Sequence, residues 1–201
     1  MKSFDLWSSA DVHAWRAALD RYDSVIAAQG SAKLVELDRW YRHELPDAVQ
    51  ARSPMHATLA ELVRLTEWKM ARGVFRARNL VLVKGNDEKT VRERSNRALA
   101  LAPHPTAVVK ELAELSGVGP ATASALAAAA HPSLYPFFDE LVAWQIPGMT
   151  DVAFTLGFYG KYAESIRTRA AQLGDEWTPV MAESALWSHS GGKIALAKKQ
   201  R

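Results

Sequence analysis

A glycine-rich turn followed by a lone acid is the feature of this sequence that most directly suggests chemistry. The stretch LSGVGPATASALAAAAHPSLYPFFDE spans residues 115–140. Gly117 and Gly119 permit backbone conformations that residues with side chains avoid, and Pro120 suits the first position of a helix because it needs no amide hydrogen. The turn therefore predicts free backbone amides at a helix N-terminus, where an anion such as phosphate binds readily. Asp139, 22 residues beyond Gly117, is a carboxylate that could stabilise a positive charge or deprotonate a water.

Composition excludes several other kinds of functional site. The chain has 201 residues and no cysteine, which excludes disulfides, thiolate zinc sites, cysteine nucleophiles and iron–sulfur clusters. None of the six histidines forms an HxxxH pair, and the sequence contains no GxxxxGK(S/T) or GxGxxG loop. We therefore expect no organic cofactor and no nucleotide-binding loop.

Hydropathy and the first residues indicate where the protein acts. No apolar run reaches the roughly 20 residues that a membrane span needs. The opening MKSFDLWSSADVH lacks the apolar run of a signal peptide. We expect an intracellular protein, in the cytoplasm, nucleoid or nucleus, that is a monomer and has no membrane partner.

Positive charge is concentrated in two parts of a chain whose formal net charge is only +3. Residues 69–97 hold nine basic side chains against three acidic ones, and residues 190–201 form a basic tail. A local basic excess on a nearly neutral protein indicates a face for a polyanion, although solvated helix faces give the same pattern. The basic residues of the first region are Lys69, Arg72, Arg76, Arg78, Lys84, Lys89, Arg92, Arg94 and Arg97.

The elements that must position the turn and the acid are predicted to be helices. Apolar residues at helical spacing, with caps and with proline or glycine stops, predict one helix after another. We expect a compact all-α fold over residues 1–201, as one domain or as two small lobes that share a core. The run NLVLVKGN at residues 79–86 looks like a short isolated strand. The predicted helices include one over residues 8–30, one from Ser31 that stops before Pro46, and one capped by Ser53 with Pro54 at its first position.

The pattern LxxLxGVGPxTAxA between two predicted helices resembles the helix–hairpin–helix motif, whose hairpin reads hydrophobic-x-Gly-hydrophobic-Gly-x. That motif binds the DNA backbone without reading its sequence, and here it covers residues 105–130. The resemblance implies that backbone amides contact the phosphates of double-stranded DNA, and that backbone carbonyls hold a monovalent cation, Na⁺ or K⁺. The residues involved would be Gly117, Val118, Gly119, Ala121 and Thr122 for DNA, and Ala113, Leu115 and Val118 for the cation. A glycine turn that only packs is the alternative.

The longer stretch LAELSGVGPATASALAAAAHPSLYPFFDE is similar to the core of the helix–hairpin–helix DNA glycosylase superfamily. In that family the hairpin is followed by a helix, a loop and a catalytic aspartate, and Asp139 matches this position. The resemblance implies a hydrolase of base-excision repair that releases a damaged or modified base. The carboxylate would stabilise an oxocarbenium-like sugar and direct a water, after the nucleotide is flipped out of the duplex. The plainer interpretation is that Asp139 caps the helix that follows it, and the two roles are compatible.

Two features narrow the kind of glycosylase that the resemblance implies. Members of the family with lyase activity carry a lysine two residues after the second hairpin glycine, and here that residue is Ala121. The resemblance therefore implies a monofunctional enzyme. The absence of cysteine excludes the branch of the family that contains an iron–sulfur cluster.

Aromatic residues near the acid could form a pocket for a flipped base. Tyr135, Phe137, Phe138 and Trp144 flank Asp139 in sequence, and each offers a surface on which a base can stack.

A second set of candidates lies in LTEWKMARGVFRARN. Trp68 and Arg72 share a helix face, and Lys69 sits beside them, so the three could orient a base or hold a phosphate. The alternative is a core position for Trp68 with solvated cations next to it. Further along, Arg76 and Arg78 are predicted to contact the DNA strand, and Phe75 is a candidate wedge into the base stack.

Three functions remain open on the sequence. The leading one is a monofunctional DNA glycosylase with Asp139 as its catalytic carboxylate. The alternatives are a non-catalytic helix–hairpin–helix DNA-binding module and a helical scaffold protein. The sequence does not name the base that would be excised.

Overall fold

The structure is a computed structural model, and it describes residues 5–193. Helices make up 66% of the structure, and no strand occurs within the described residues, which confirms the predicted all-α fold. The basic tail predicted at residues 190–201 lies mostly outside the described residues, which end at Lys193. None of the described helices is both long and apolar enough to cross a membrane.

Twelve α-helices follow one another through residues 5–193, and a π-helical segment, Trp40–Glu44, joins the third to the fourth. The helices are α1 (Val12–Asp20), α2 (Tyr22–Ala28), α3 (Ala32–Arg39), α4 (Leu45–Gln50), α5 (Leu59–Arg72), α6 (Ala77–Lys84), α7 (Glu88–Leu99), α8 (Pro105–Leu112), α9 (Pro120–Ala130), α10 (Glu140–Ala143), α11 (Leu156–Leu173) and α12 (Pro179–Ser190).

Polar caps determine where several helices begin. The side chains of Asp11, Ser31 and Asp87 accept hydrogen bonds from the first-turn amides of α1, α3 and α7. At α5, Thr58 and Glu61 form a capping box, in which each side chain bonds to the other residue's amide. The prediction that this helix begins after Ser53 is therefore wrong, because the better cap lies further along the chain.

Three other predicted elements differ from the structure. The helix predicted over residues 8–30 is divided at Arg21, which separates α1 from α2. The helix from Ser31 does not stop before Pro46, because the π segment carries the chain into α4 and Pro46 falls in that helix's first turn. The run NLVLVKGN is not a strand but forms most of α6.

Helices α9 and α12 form the centre of the core. All residues of α9 from Ala121 to Ala130 are buried, and its alanines allow α4, α5 and α8 to pack closely around it. Helix α12 packs against α1, α2, α10 and α11. Asp139 lies on the connection from α9 to α10 and is therefore held within this framework.

The turn between α8 and α9 recurs after α10. Gly117 and Gly148 have left-handed φ angles of 77° and 80°, a conformation that favours glycine. In both turns the next residue donates its amide to the carbonyl three residues earlier, at 3.1 Å. The surroundings differ: a Cβ atom on Gly117 would lie 2.5 Å from the carbonyl oxygen of Asn79, whereas one on Gly148 would meet nothing within 4 Å.

Candidate functional site

Helix α9 fixes the loop that carries Asp139. The hydroxyl of Ser124, in the middle of α9, accepts a hydrogen bond from the amide of Phe138 at 3.0 Å. From α11, the hydroxyl of Tyr162 donates to the carbonyl of Phe137 at 2.7 Å. Since these bonds are buried, they hold the backbone immediately before Asp139 in one conformation.

Asp139 is the N-cap of α10, which confirms the prediction that it caps the helix that follows it. Its Oδ1 atom accepts a hydrogen bond from the amide of Leu141 at 2.8 Å. Its Oδ2 atom lies 3.2 Å from Nε of Arg72, and 11% of the side chain is exposed. The carboxylate therefore has one oxygen in the cap, one beside a buried cation, and one edge that reaches the surface.

Arg72, the last residue of α5, lies in the core. Its Nη1 atom donates to the hydroxyl of Tyr22 at 3.0 Å, and its Nη2 atom donates to Glu183. The prediction that Arg72 contacts a DNA phosphate is therefore corrected, because its side chain is only 2% exposed and is already held by these partners. Burial acts to lower the pKa of Arg72. Glu183 and the other acidic neighbours raise the pKa by more than burial lowers it, so the guanidinium is charged.

Aromatic rings surround the guanidinium of Arg72. Its Cζ atom lies 4.5 Å from the ring centroid of Trp187, 5.0 Å from Phe137, 5.4 Å from Trp68 and 5.8 Å from Tyr22. Cation–π attraction of this kind offsets part of the cost of removing the cation from water.

Trp68 occupies a core position, in agreement with the alternative drawn from the sequence. Its ring stacks on Tyr41 with centroids 3.6 Å apart, and its Nε1 atom donates to Asp38 at 2.9 Å. Asp38 also accepts hydrogen bonds from Tyr22 and from Arg42, each at 3.0 Å. A buried carboxylate with three donors is fully satisfied, so Asp38 ties α2, α3 and α5 together.

Glu183 is the third acid of the cluster and comes from α12. It is buried and contacts Arg72 directly. Burial raises the pKa of Glu183, Arg72 acts to lower it, and the charges of Asp139 and Asp38 raise it, so that the pKa is about 7. Near neutral pH, Glu183 is therefore divided between its charged and its neutral form.

The turn at Gly117 is held from outside by the segment that follows α6. The side chain of Asn86 accepts the amide of Ser116 and donates to its carbonyl, each at 2.9 Å. Val118 is buried, which anchors the turn. Gly119 is the N-cap of α9 and provides no side-chain cap, so the first amides of this helix keep the character that an anion site requires.

Ala121 and Thr122, which the sequence predicts to contact DNA through their amides, have buried side chains. The carbonyl of Leu115, predicted to hold a cation together with those of Ala113 and Val118, accepts the amide of Val118 within the turn at 3.1 Å. Among residues 5–193, no group of three or more His, Cys, Asp or Glu side chains is arranged to hold a metal ion. The DNA and cation contacts of the turn stay predictions.

The basic residues of the 69–97 region are in different environments. Arg94 and Arg97 both contact Glu111 at 3.1 Å, so acidic charge compensates part of theirs. Arg76 and Arg78, at the start of α6, are exposed and take part in no ion pair within the described part of the chain. Lys84 and Arg92 are exposed as well, so several cations of this region are free to meet a polyanion.

Lys69 lies close to Asp139. It is half-buried, one turn before the end of α5. Burial lowers the pKa of Lys69, the charge of Arg76 lowers it further, and the carboxylate of Asp139 acts in the opposite direction. Lys69 is therefore within electrostatic range of both Asp139 and Arg76, and both Lys69 and Arg72 lie on the Asp139 side.

The aromatic residues predicted to line a base pocket are mostly buried. Tyr135, Phe137 and Phe138 pack into the core, whereas Trp144 is exposed. A surface pocket of about 620 Å³ lies along α11 and another of about 540 Å³ lies beside Phe75, and Asp139 lines neither. The rings are near the acid but do not form open walls in this conformation, so the base pocket stays a prediction.

Sequence analysis did not identify several residues of the site, among them Tyr22, Asp38, Asn86, Ser124, Tyr162 and Glu183. A signal for Glu183 existed, because it is the single charge within the otherwise apolar or weakly polar PVMAESALW of α12. A charge in such a helix is buried only when it has a partner. Nothing in the sequence identified Arg72 as that partner.

Comparisons with family models, with curated proteins and with solved structures found no match for this chain. The site is therefore interpreted from its own geometry.

Proposed function

We propose that this protein binds double-stranded DNA through the α8–α9 turn and acts as a monofunctional DNA glycosylase, with Asp139 as its catalytic carboxylate. The observation that carries the proposal is the link between turn and acid. Helix α9 begins at the turn, and its Ser124 accepts the amide of Phe138, the residue before Asp139. A rigid connection of this kind holds a carboxylate at a fixed position relative to a bound phosphate backbone.

The surface around the turn supports binding to a polyanion. Gly117 packs against α6, and the exposed Arg76 and Arg78 lie at the start of that same helix. Phe75, next to them, is 67% exposed, and we assign it the role of a wedge that fills the space left by a flipped nucleotide. Flipping costs a few kcal/mol, and contacts of these kinds offset that cost.

The chemistry follows from the charge and position of Asp139. As the bond between sugar and base breaks, its electron pair leaves with the base and positive charge develops on the sugar. The carboxylate stabilises that charge and orients the water that attacks the sugar. The hydroxyl of the water stays on the sugar, and its proton passes through Asp139 to the departing base. Because Ala121 cannot form a Schiff base, the product is an abasic site in an intact strand.

Base release from a panel of lesion-bearing duplexes tests this proposal, with the wild type measured beside Asp139→Asn. The amide keeps the shape and still caps α10 but removes the charge, so we expect release of the preferred base to fall about a hundredfold or more. Asp151→Asn is the matched control. Asp151 is exposed and lies beyond α10, so this variant should react like the wild type.

A second candidate, the non-catalytic DNA-binding module, is favoured by one observation: Tyr135, Phe137 and Phe138 are packed into the core instead of lining an open pocket. Affinity for undamaged duplex, measured on the same samples at several salt concentrations, separates the candidates. Steep salt dependence without any base release supports the binding module. Absence of both would leave the helical scaffold.

A further inference from the structure

The interior cluster around Arg72 holds more acids than bases. Asp38, Asp139 and Glu183 all act on Arg72 electrostatically. Asp38 has its own cation, because Arg42 donates to it from the partly exposed side at 3.0 Å. Lys69 acts on Asp139 electrostatically, but these two side chains, both within residues 5–193, form no ion pair, so Asp139 and Glu183 are left as the two carboxylates in direct contact with the single charge of Arg72.

The geometry of Arg72 shows with which of the two carboxylates it forms a hydrogen bond. Its Nη2 atom forms a direct hydrogen bond with Glu183. Its Nε atom lies 3.2 Å from Asp139, but the N–H is not aligned with that oxygen and makes no hydrogen bond. A charged pair is strongest when its hydrogen bonds are formed, so the guanidinium is matched mainly to Glu183.

Resting on the proposed function, we propose that Glu183 is a positioning residue: it engages Arg72 and thereby leaves Asp139 as the uncompensated anion of the site. The ligand group that this arrangement favours is a cation opposite the exposed edge of Asp139, such as a sugar that develops positive charge. Without the charge of Glu183, Arg72 would neutralise Asp139 instead.

Protonation of Glu183 removes its negative charge, so it too would leave Arg72 to neutralise Asp139. The charged and titratable groups that act on Glu183 are Arg72 from α5, Asp38 from α3 and Asp139 from the α10 cap, and it acts in turn on Tyr22, Tyr41 and Tyr162. Burial raises the pKa of the three tyrosines, so they stay neutral. Glu183 therefore changes its charge near neutral pH, whereas these tyrosines do not.

Binding of two sugar analogues tests the role of Glu183 without knowledge of the base. One duplex carries a cationic pyrrolidine in place of a single nucleoside, and the other carries a neutral tetrahydrofuran of the same shape. The ratio of their affinities measures the anionic charge available at the site, and the neutral duplex corrects for backbone contacts. For the wild type we expect a preference for the cation of about tenfold at pH 8.5 that declines toward none at pH 6.

Variants identify the group responsible. Glu183→Gln should show little preference for the cation at any pH, and Asp139→Asn should show none. The double variant Arg72→Gln/Glu183→Gln removes both charges, so the preference should return at all pH values because Asp139 is no longer masked. A purely structural role for Glu183 would leave the double variant no better than the single one.

Each remaining outcome is decisive. If the wild type prefers the cation and Asp139→Asn does not, while Glu183→Gln behaves like the wild type, the role of Glu183 is overturned and the proposed function stands. If the wild type shows no preference at any pH, the proposed function fails as well. The pH profile of the wild type needs no variant, so it decides the question even if the double variant does not fold.

Discussion

At the scale of single residues, Asp38 is the acid on which most buried hydrogen bonds of the site converge. It accepts from Tyr22, Trp68 and Arg42, which come from three different segments of the chain. Each donor would lose its partner in the interior if this carboxylate were removed, and an unpaired buried donor carries the full cost of desolvation.

Asp38→Ala should therefore destabilise the protein by about 3 kcal/mol, because it leaves two neutral donors and part of a charge unpaired. Equilibrium unfolding in urea, followed by tryptophan fluorescence, measures the change. Glu36→Ala is the control on the same helix: Glu36 is exposed and forms a surface ion pair with Arg64 at 3.3 Å, so we expect a change within about 0.5 kcal/mol. Equal effects of the two substitutions would show that Asp38 is not a structural centre.

Residues that act through local spacing could be predicted from the sequence, and residues that act through tertiary contacts could not. Gly117 and Asp139 were found because their roles follow from neighbours in the chain: a turn that needs a left-handed residue and a cap that precedes a helix. Arg72 and Glu183 meet across the core, and no local pattern indicates which distant acid a buried arginine will find.

At the scale of elements, α6 and the α8–α9 turn depend on each other. The backbone of α6 lies against Gly117 so closely that a Cβ atom there would be 2.8 Å from the amide nitrogen of Val83. The turn after α10 has the same left-handed glycine, but space surrounds it. Alanine substitutions in the two turns can therefore distinguish the destabilisation caused by the backbone conformation from the destabilisation caused by contact with α6.

Gly117→Ala should destabilise the protein by about 3 kcal/mol, since it combines left-handed strain of roughly 1–2 kcal/mol with a clash against α6. Gly148→Ala introduces the strain alone and should cost about 1 kcal/mol. Thermal unfolding of the two variants beside the wild type gives the comparison. If both cost the same, close packing of α6 on the turn is not a feature of the protein in solution.

Helix boundaries were predictable where one cap dominated and were missed where two signals competed. Ser31 caps α3 and Pro120 begins α9, as expected. For α5 the prediction followed Ser53, although the Thr58–Glu61 capping box was visible in the sequence. The apolar run in α6 was short enough to resemble a strand, and only its packing on the turn shows why it is helical.

At the scale of the whole molecule, the buried charges connect helices that are distant in sequence. Arg72 at the end of α5 contacts Tyr22 of α2, Asp139 ahead of α10, and Glu183 of α12. A charge network in the interior makes the stability of the whole fold depend on protonation, because the unfolded chain exposes the same groups to water.

Glu183 predicts the direction of that dependence. Its pKa is about 7 in the folded protein, against 4.5 as the ordinary value, so the folded state holds the proton more tightly than the unfolded state. The stabilisation is therefore fully present below pH 4.5 and is lost as the pH rises through about 7. Between pH 5.5 and pH 8 the free energy of unfolding should fall by about 2 kcal/mol from this group.

Urea unfolding of the wild type and of Glu183→Gln across that pH range isolates the effect. Glutamine resembles the protonated acid and does not titrate, so the decline should be absent from the variant. Glu176→Gln, at an exposed acid that contacts Arg16 at 2.9 Å, should keep the wild-type decline. A decline of the same size in Glu183→Gln would mean that another group controls the pH dependence and that Glu183 is charged throughout the range.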